Sequence, residues 1–482
     1  MIWLALFSVL LSGPSGCNRT GPAASDLPAE PLYLRQGSIG VDTVQFGRFG
    51  PVVLYHLTRR PSYVVLMVSG DGGWNLGVVR MAEALAQRDA LVVGIDIRRY
   101  LAALSAQKER CSYPAADFEA LSQWLQRKLG FPSYTEPVLL GYSSGATLVY
   151  AALAQAPPNT FRGAISLGFC PSLRASRPFC RGYGLPVLAP VRPGWISVAP
   201  AESLRAPWVV LQGDNDSTCP AAAATRFVRQ VPGADIVLLP QVGHGFGVEP
   251  RWVPQLQAVF ERIVRGTTAM AAPNAPAVRD LPLVELRSRG SSRKLAVIVS
   301  GDGGWASLDR QIGETLAEEG IPVVGLNSLQ YFWKARTPEQ AASDLARILR
   351  HYLQAWGASE ALLVGYSRGA ETLPFMVTRL PQDLRSHIRA VALLAPGLTA
   401  EFEWHLADLL GRQSASGRRT VPEIRQLRGM RVLCIYGADE TDSACPELPP
   451  GIATSIEVPG GHHFGGSYRE VARRILQTAF GP

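Results

Sequence analysis

Several features that would place this chain in a class at once are missing from it. No Cys-x-x-Cys or His-Glu-x-x-His spacing occurs, so a zinc site has no support and no metal is expected. No block of like charge occurs either. The formal net charge is +8 and the pI about 9.2, but arginine is spread along the chain, which argues against a nucleic-acid arm and suits a surface working near anionic lipid. Histidine is scarce, seven in 482 residues, so two that recur in matching places carry information. The apolar run Met1 to Leu11 is too short to span a membrane in a mature protein.

That run is followed by Ser12-Gly13-Pro14-Ser15-Gly16-Cys17, which reads as an export signal of the bacterial lipoprotein kind with Cys17 as the lipidated residue. The expected location is the periplasm or cell envelope. Residues 18–35, with Pro22, Pro28 and Pro31, read as a flexible tether. Setting Cys17 aside leaves Cys111, Cys170, Cys180, Cys219, Cys434 and Cys445, an even number that suggests disulfides in an exported chain. Cys170 and Cys180 flank one short loop and are the first expected pair.

What the chain has is a repeat. Ser69-Gly70-Asp71-Gly72-Gly73-Trp74 and Ser300-Gly301-Asp302-Gly303-Gly304-Trp305 are identical, and each closes an apolar run, Val64 to Val68 and Leu295 to Val299. A β-branched run ending in glycines reads as a buried parallel strand entering a loop. Helix, strand, longer helix and strand then follow in the same order in both halves, offset by 231 residues at the hexapeptides and 224 at the Gly-Tyr-Ser serines, which is the mark of duplication. With the linker rich in Ala, Thr, Pro and Asn taken as 266–280, the domains are 36–265 and 281–482. Strand–helix alternation gives the fold class: α/β, two tandem α/β-hydrolase-like domains with doubly wound, mostly parallel sheets.

Gly141-Tyr142-Ser143-Ser144-Gly145 and Gly365-Tyr366-Ser367-Arg368-Gly369 match the Gly-x-Ser-x-Gly nucleophile elbow, each after an apolar strand and before a helical pattern. An acid and then a histidine must follow. Gly243-His244-Gly245-Phe246 aligns with Gly461-His462-His463-Phe464, marking His244 and His462 as bases and His463 as a neighbour. The acid is less determined. Anchoring on a shared Asp-Ser-x-Cys-Pro selects Asp216 and Asp442, with Asp214, Asp439 and Glu440 as open alternatives. In this reading Ser367 attacks a carbonyl, His462 takes its proton and Asp442 holds the imidazole. The N–H of Arg368 and one from the Asp302-Gly303 turn hold the oxyanion, as do Ser144 and the Asp71-Gly72 turn in the first copy. No cofactor is needed.

The doubled hexapeptide, the Gly-Tyr-Ser-Arg-Gly elbow, Tyr331-Phe332-Trp333 before Arg336-Thr337-Pro338-Glu339, and Asp442-Ser443-x-Cys445-Pro446 together resemble the VirJ/AcvB family. The resemblance is strongest over 280–482, and the first half is similar to the more divergent N-terminal domain of the two-domain AcvB form. It implies a periplasmic α/β-hydrolase acting on lysyl-phosphatidylglycerol at the membrane surface, associated with type IV secretion and virulence, with secretion-system proteins as possible partners. Arg98-Arg99-Tyr100 and Cys111 depart from this pattern in the first copy.

An aspartate inside an oxyanion turn is unexpected, because a carboxylate opposes charge developing on the substrate oxygen. Two readings follow. Either Asp302 accepts N–H bonds from Gly304 and Trp305 and shapes the turn, or Asp302, with Glu371 on the helix after Ser367, binds the ammonium of an aminoacyl substrate.

Overall fold

The apolar runs are strands buried on both faces. Val64, Leu66 and Val68 enter one core and Val65 and Met67 the other. Leu295, Val297 and Val299 divide from Ala296 and Ile298 in the same way. A strand with no solvent face reads as a continuous apolar run, as it does here. The structure is a computed structural model that describes residues 38–58, 60–106, 111–182, 184–186, 194–266, 276–290, 292–305, 307–405 and 417–481. The expected signal with Cys17, the tether up to residue 35 and most of the linker lie outside the described residues.

The first half runs β1 (Gly40–Phe46), β2 (Gly50–His56), β3 (Tyr63–Val68), α1 (Leu76–Ala86), β4 (Ala90–Ile95), α2 (Ile97–Ser105), α3 (Pro114–Lys128), β5 (Val138–Tyr142), α4 (Ser144–Gln155), β6 (Gly163–Leu167), a hairpin of β7 (Ser172–Arg174) and β8 (Trp195–Ser197), β9 (Trp208–Gly213), α5 (Ala221–Val228), β10 (Ala234–Leu239) and α6 (Val253–Gly266). The second half repeats the plan. It runs β11 (Leu283–Leu286), β12 (Lys294–Val299), α7 (Ser307–Glu318), β13 (Val323–Leu326), α8 (Ser328–Tyr331), α9 (Pro338–Ala355), β14 (Glu360–Tyr366), α10 (Arg368–Thr378), α11 (Gln382–Arg385), β15 (Ile388–Leu394), β16 (Thr399–Ala400), β17 (Arg418–Arg419), α12 (Thr420–Arg425), β18 (Val432–Gly437), β19 (Thr454–Val458) and α13 (Tyr468–Phe480).

Among the described residues the first sheet has the order β1-β2-β4-β3-β5-β6-β9-β10 and the second β11-β13-β12-β14-β15-β18-β19. From β4 and from β13 onward all neighbours are parallel; β1, β2 and β11 are antiparallel additions at one edge. This is the order of an α/β-hydrolase sheet, so each half is an α/β-hydrolase-like domain. The winding reverses between β3 and β5, and between β12 and β14, and ligands of such sheets bind outside the strand ends at that switch point.

The tryptophan of each hexapeptide packs on a glycine of the next strand. A Cβ on Gly94 would lie 2.2 Å from the Trp74 ring, and one on Gly325 2.2 Å from the Trp305 ring. The Arg336-Thr337-Pro338-Glu339 segment is a helix start: Thr337 caps α9 in a capping box with Gln340, and Pro338 takes the first turn. Trp333 serves the seam between the halves. Its Nε1 donates to the Phe131 carbonyl at 2.8 Å, Arg127 donates to its carbonyl at 2.7 Å and pairs with Glu403, and Tyr134, Leu329 and Trp404 close an apolar cluster around it.

The expected Cys170–Cys180 pair does not form. The bridges are Cys111–Cys180, Cys170–Cys219 and Cys434–Cys445. Sequence proximity misled because Cys170 lies just past the end of β6, beside the loop after β9, while the Cys180 segment runs along Ser112, with which Phe179 forms a bridge. Among the described residues no helix is long and apolar enough to cross a membrane.

Gly325→Ala tests the tryptophan seat. Trp305 is almost fully buried and cannot retreat, so the extra methyl should cost about 1–3 kcal/mol. Urea unfolding reads this as a lower midpoint, and an unchanged midpoint contradicts the packing described.

Candidate active site

Ser143 links β5 to α4 and Ser367 links β14 to α10. Their backbones are nearly superimposable in angle, φ 56° and ψ −121° against φ 51° and ψ −119°. A non-glycine residue in this region stores about 1–3 kcal/mol of strain. Packing holds it in place. Ser143 and Ser367 donate their N–H groups to the carbonyls of Leu167 and Leu394 on the neighbouring strand, at 2.9 Å in each case. The flanking glycines are a steric necessity: a Cβ on Gly145 would lie 2.4 Å from the Val68 carbonyl oxygen, and one on Gly369 2.0 Å from that of Val299.

Both serines meet a histidine. His462 Nε2 lies 2.9 Å from Ser367 Oγ, and His244 Nε2 lies 3.0 Å from Ser143 Oγ. The acids behind them differ in kind. Asp216 faces His244 Nδ1 at 2.8 Å, but in the second copy Glu440, not Asp442, faces His462 Nδ1, at 2.6 Å. The assignment of Asp442 is therefore corrected. The acid is placed by its distance from the strand end. Asp216 N–H bonds the carbonyl of Gly213, the last residue of β9, and Glu440 N–H bonds that of Gly437, the last residue of β18. The two extra residues of the second loop come after the acid, so anchoring on the downstream Cys-Pro shifted the register. Asp214 accepts the Gln241 N–H at 2.7 Å and belongs to loop structure, and the Asp439 N–H bonds the Gly460 carbonyl at 3.1 Å.

Asp216 is fully buried and accepts from the N–H groups of Thr218 and Cys219 and from Gln212 Nε2. Asp216, Cys219 and His244 lie close enough to hold a metal ion, but the Cys219 sulfur is bonded to Cys170 and the other two bond each other. Tyr142 and Tyr366, the middle letters of the elbows, donate to the carbonyls of His244 and His462 and so hold the histidine loops. The Tyr366 hydroxyl also lies 2.9 Å from His463 Nδ1, which keeps His463 off the nucleophile. Sequence reasoning missed these tyrosines.

The hexapeptide turns lie over the serines. A Cβ on Gly70 would come 3.0 Å from Ser143 Cβ, and one on Gly301 3.0 Å from the Tyr366 ring. Each turn is closed by backbone, Gly73 N–H to Gly70 at 2.9 Å and Gly304 N–H to Gly301 at 3.0 Å. The Gly304 N–H thus goes to a carbonyl rather than to Asp302, which removes that bond from the turn-forming reading. Asp302 is exposed and lines the cleft beside Ser367. The Arg368 guanidinium is nearly buried and donates to the Glu403 carbonyl at 2.9 Å.

The cleft has a volume of about 260 Å³ and is lined by Asp302, Glu371, Glu401, Glu440 and Asp442, with Arg368 and His462. Burial and the charge of Asp302 push the Glu371 carboxyl up to about 7, against the pull of Arg368. Glu119, on α3 of the other domain, is pushed to about 7 by burial and by the same Asp302, and shares a shallow groove with Asp302 and Trp404. Burial alone would raise Glu440 and lower His462. Their mutual hydrogen bond and charge overcome burial in both, so Glu440 lies below its ordinary range and His462 above its own. Burial and the neighbouring His462 lower His463.

The raised pKa of His462 has a direct consequence for a general base. The base is lost as pH falls through a pKa lying above the ordinary value near 6.5, so the acid limb of the rate profile should sit above that value. Glu440→Gln removes the interaction opposing burial; the limb should move down and kcat fall on the order of a thousandfold. Asp442→Asn should leave the limb in place. A pH–rate series in which Asp442, and not Glu440, controls the limb overturns the acid assignment.

With this geometry in view, the chain can be compared with known proteins. Solved structures that it matches include a lidless α/β serine hydrolase from Xanthomonas campestris (21% identity, TM-score 0.31, covering 51% of this chain and 100% of that one). They also include a dienelactone hydrolase from Anabaena variabilis (17%, 0.34, covering 48% and 99%) and the esterase domain of a Rhodothermus marinus protein (14%, 0.32, covering 47% and 98%). Each corresponds to about half of this chain. No curated protein matches it. The family described as bacterial virulence protein (VirJ) matches residues 62–167 and 293–480, which hold four of the eight strands of the first sheet, six of the seven of the second and both elbows, and the chain belongs to that family.

Proposed function

We propose that this protein is a serine ester hydrolase of the bacterial envelope whose C-terminal site cleaves an aminoacyl ester of a phospholipid, lysyl-phosphatidylglycerol foremost. The chemistry needs only what the site holds. Ser367 Oγ attacks the ester carbonyl while His462 Nε2 takes its proton. The oxyanion meets the N–H of Arg368 and of the Asp302-Gly303 turn, and the tetrahedral species collapses as His462 returns the proton to the departing alcohol oxygen. Water then repeats the sequence on the acyl-enzyme and releases the amino acid.

The observation that carries the substrate class is the charge of the cleft. Beyond Glu440, which serves His462, it is lined by Asp302, Glu371, Glu401 and Asp442, while the Arg368 guanidinium is directed to a backbone carbonyl. Arg368 offsets only in part the burial and the Asp302 charge that hold the Glu371 carboxyl up, so an ammonium arriving beside Asp302 and Glu371 relieves them, and a charge-assisted contact of this kind contributes about 1.5–3 kcal/mol. A raised Glu371 fits the same reading, since an arriving cation restores its charge. A net charge of +8 over the whole chain, its acidic cleft included, favours approach to an anionic leaflet. Three disulfides accord with an oxidising compartment.

Vesicles test the proposal directly. Purified protein added to vesicles containing lysyl-phosphatidylglycerol should release free lysine and regenerate phosphatidylglycerol, and Ser367→Ala should reduce release to background. Lysine release that persists at the wild-type rate in Ser367→Ala, or none with the wild type, contradicts it.

A further inference from the structure

We propose that the N-terminal copy is a second working esterase site, and that it takes carboxylic esters whose acyl group carries no cation. The inference borrows its chemistry from the proposed function but concerns a different serine. Every part the reaction requires is present. Ser143 occupies the same left-handed backbone region as Ser367, His244 bridges Ser143 and the buried Asp216 at 3.0 and 2.8 Å, and the Gly70–Gly73 turn lies over the nucleophile. Asp216 is better supported than Glu440, with three donors from Thr218, Cys219 and Gln212. A strained serine and a fully buried, paired aspartate are costly to keep in a merely structural domain.

The surroundings differ from the C-terminal cleft in a consistent direction. Thr147 stands where Glu371 stands, and its hydroxyl is turned to the Cys170 carbonyl at 2.5 Å. Arg174 occupies the place of Glu401, each the seventh residue after the leucine that binds the nucleophile's N–H. Counted from the acid, Thr218 stands where Asp442 stands. The Cys170–Cys219 bridge lies where the second copy has the Gly397–Ser443 bridge of backbone, which places an uncharged disulfide beside the acid loop. Arg98 lies against the oxyanion turn, where a Cβ on Gly73 would come 2.0 Å from its Nη2, and it is paired with Asp96 at 2.8 Å; the second copy has Leu329 and Asn327 in these two places, so the pair adds no net charge. Of the carboxylates in the C-terminal cleft that could hold an ammonium, only the Asp302 equivalent, Asp71, remains.

The step balances without any further reactant. Ser143 Oγ bonds to the acyl carbon as its proton passes to His244 Nε2. The C–O bond to the alcohol breaks with that proton leaving on the alcohol. Water then adds through His244 and frees the carboxylic acid and Ser143.

A fluorophosphonate probe on the intact wild-type chain, followed by digestion and mass spectrometry, should find adducts on both Ser143 and Ser367. In Ser367→Ala, hydrolysis of p-nitrophenyl butyrate should persist at no less than about a tenth of the wild-type rate, with lysine p-nitrophenyl ester turned over far more slowly. Adding His244→Ala should abolish what remains. An adduct on Ser367 alone, residual hydrolysis insensitive to His244→Ala, or a lysine ester handled as well as the butyrate by Ser367→Ala each overturns the inference. An adduct on Ser143 without one on Ser367 leaves it standing and defeats the proposed function instead.

Discussion

The molecule depends on the close approach of a helix to the ends of two parallel strands. Gly369 lets α10 rest on the Val299 and Ser300 carbonyls, and Gly145 lets α4 rest on those of Val68 and Ser69. Only this approach holds the serine in its left-handed turn, beneath the glycine turn and within reach of histidine. The strain is local, but a whole sheet sets it: the nucleophile N–H is anchored on the next strand and the acid on the last residue of the strand beyond. Groups tied to the ends of paired strands are placed more precisely than groups on free loops, which suits a constellation that must hold within about 0.5 Å.

Duplication preserved that framework and let charge diverge around it. The two copies share backbone angles at the nucleophile, the histidine contact and the turn above it. They differ at Thr147 against Glu371, Arg174 against Glu401 and Arg98 against Leu329. Fold and triad do not choose an acyl group; the groups around them do. The halves also lean on each other. Asn159 of the first donates to the Trp305 carbonyl beside the oxyanion turn of the second, and Glu119 faces Asp302 across the seam. The turn that carries Asp302 therefore borders both halves.

Much of this was legible because the signals were doubled. Continuous apolar runs disclosed strands buried on both faces, and two elbows and two glycine turns at one offset disclosed the duplicated sheet. The serines and histidines followed from order alone. The acid did not, because an insertion's position within a loop depends on where the strand stops, and Gly437 marks that only once β18 is paired with β19. The disulfides were illegible for the same reason: Cys170 and Cys219 are brought together by neighbouring parallel strands. Glu401 and Glu119 carry no motif and join the site only through the fold, and Tyr366 looked like elbow filler until its hydroxyl reached the His462 loop.

Cleavage of a lysyl ester requires that the C-terminal cleft read a cation. The most direct measurement is the ratio of kcat/KM for lysyl and norleucyl esters of the same alcohol, taken for the wild type and for Glu371→Gln. The side chains differ in little but the ammonium. The ratio should be at least about ten in the wild type and fall about tenfold in the variant. A ratio near one in the wild type, or one that Glu371→Gln leaves unchanged, contradicts the account.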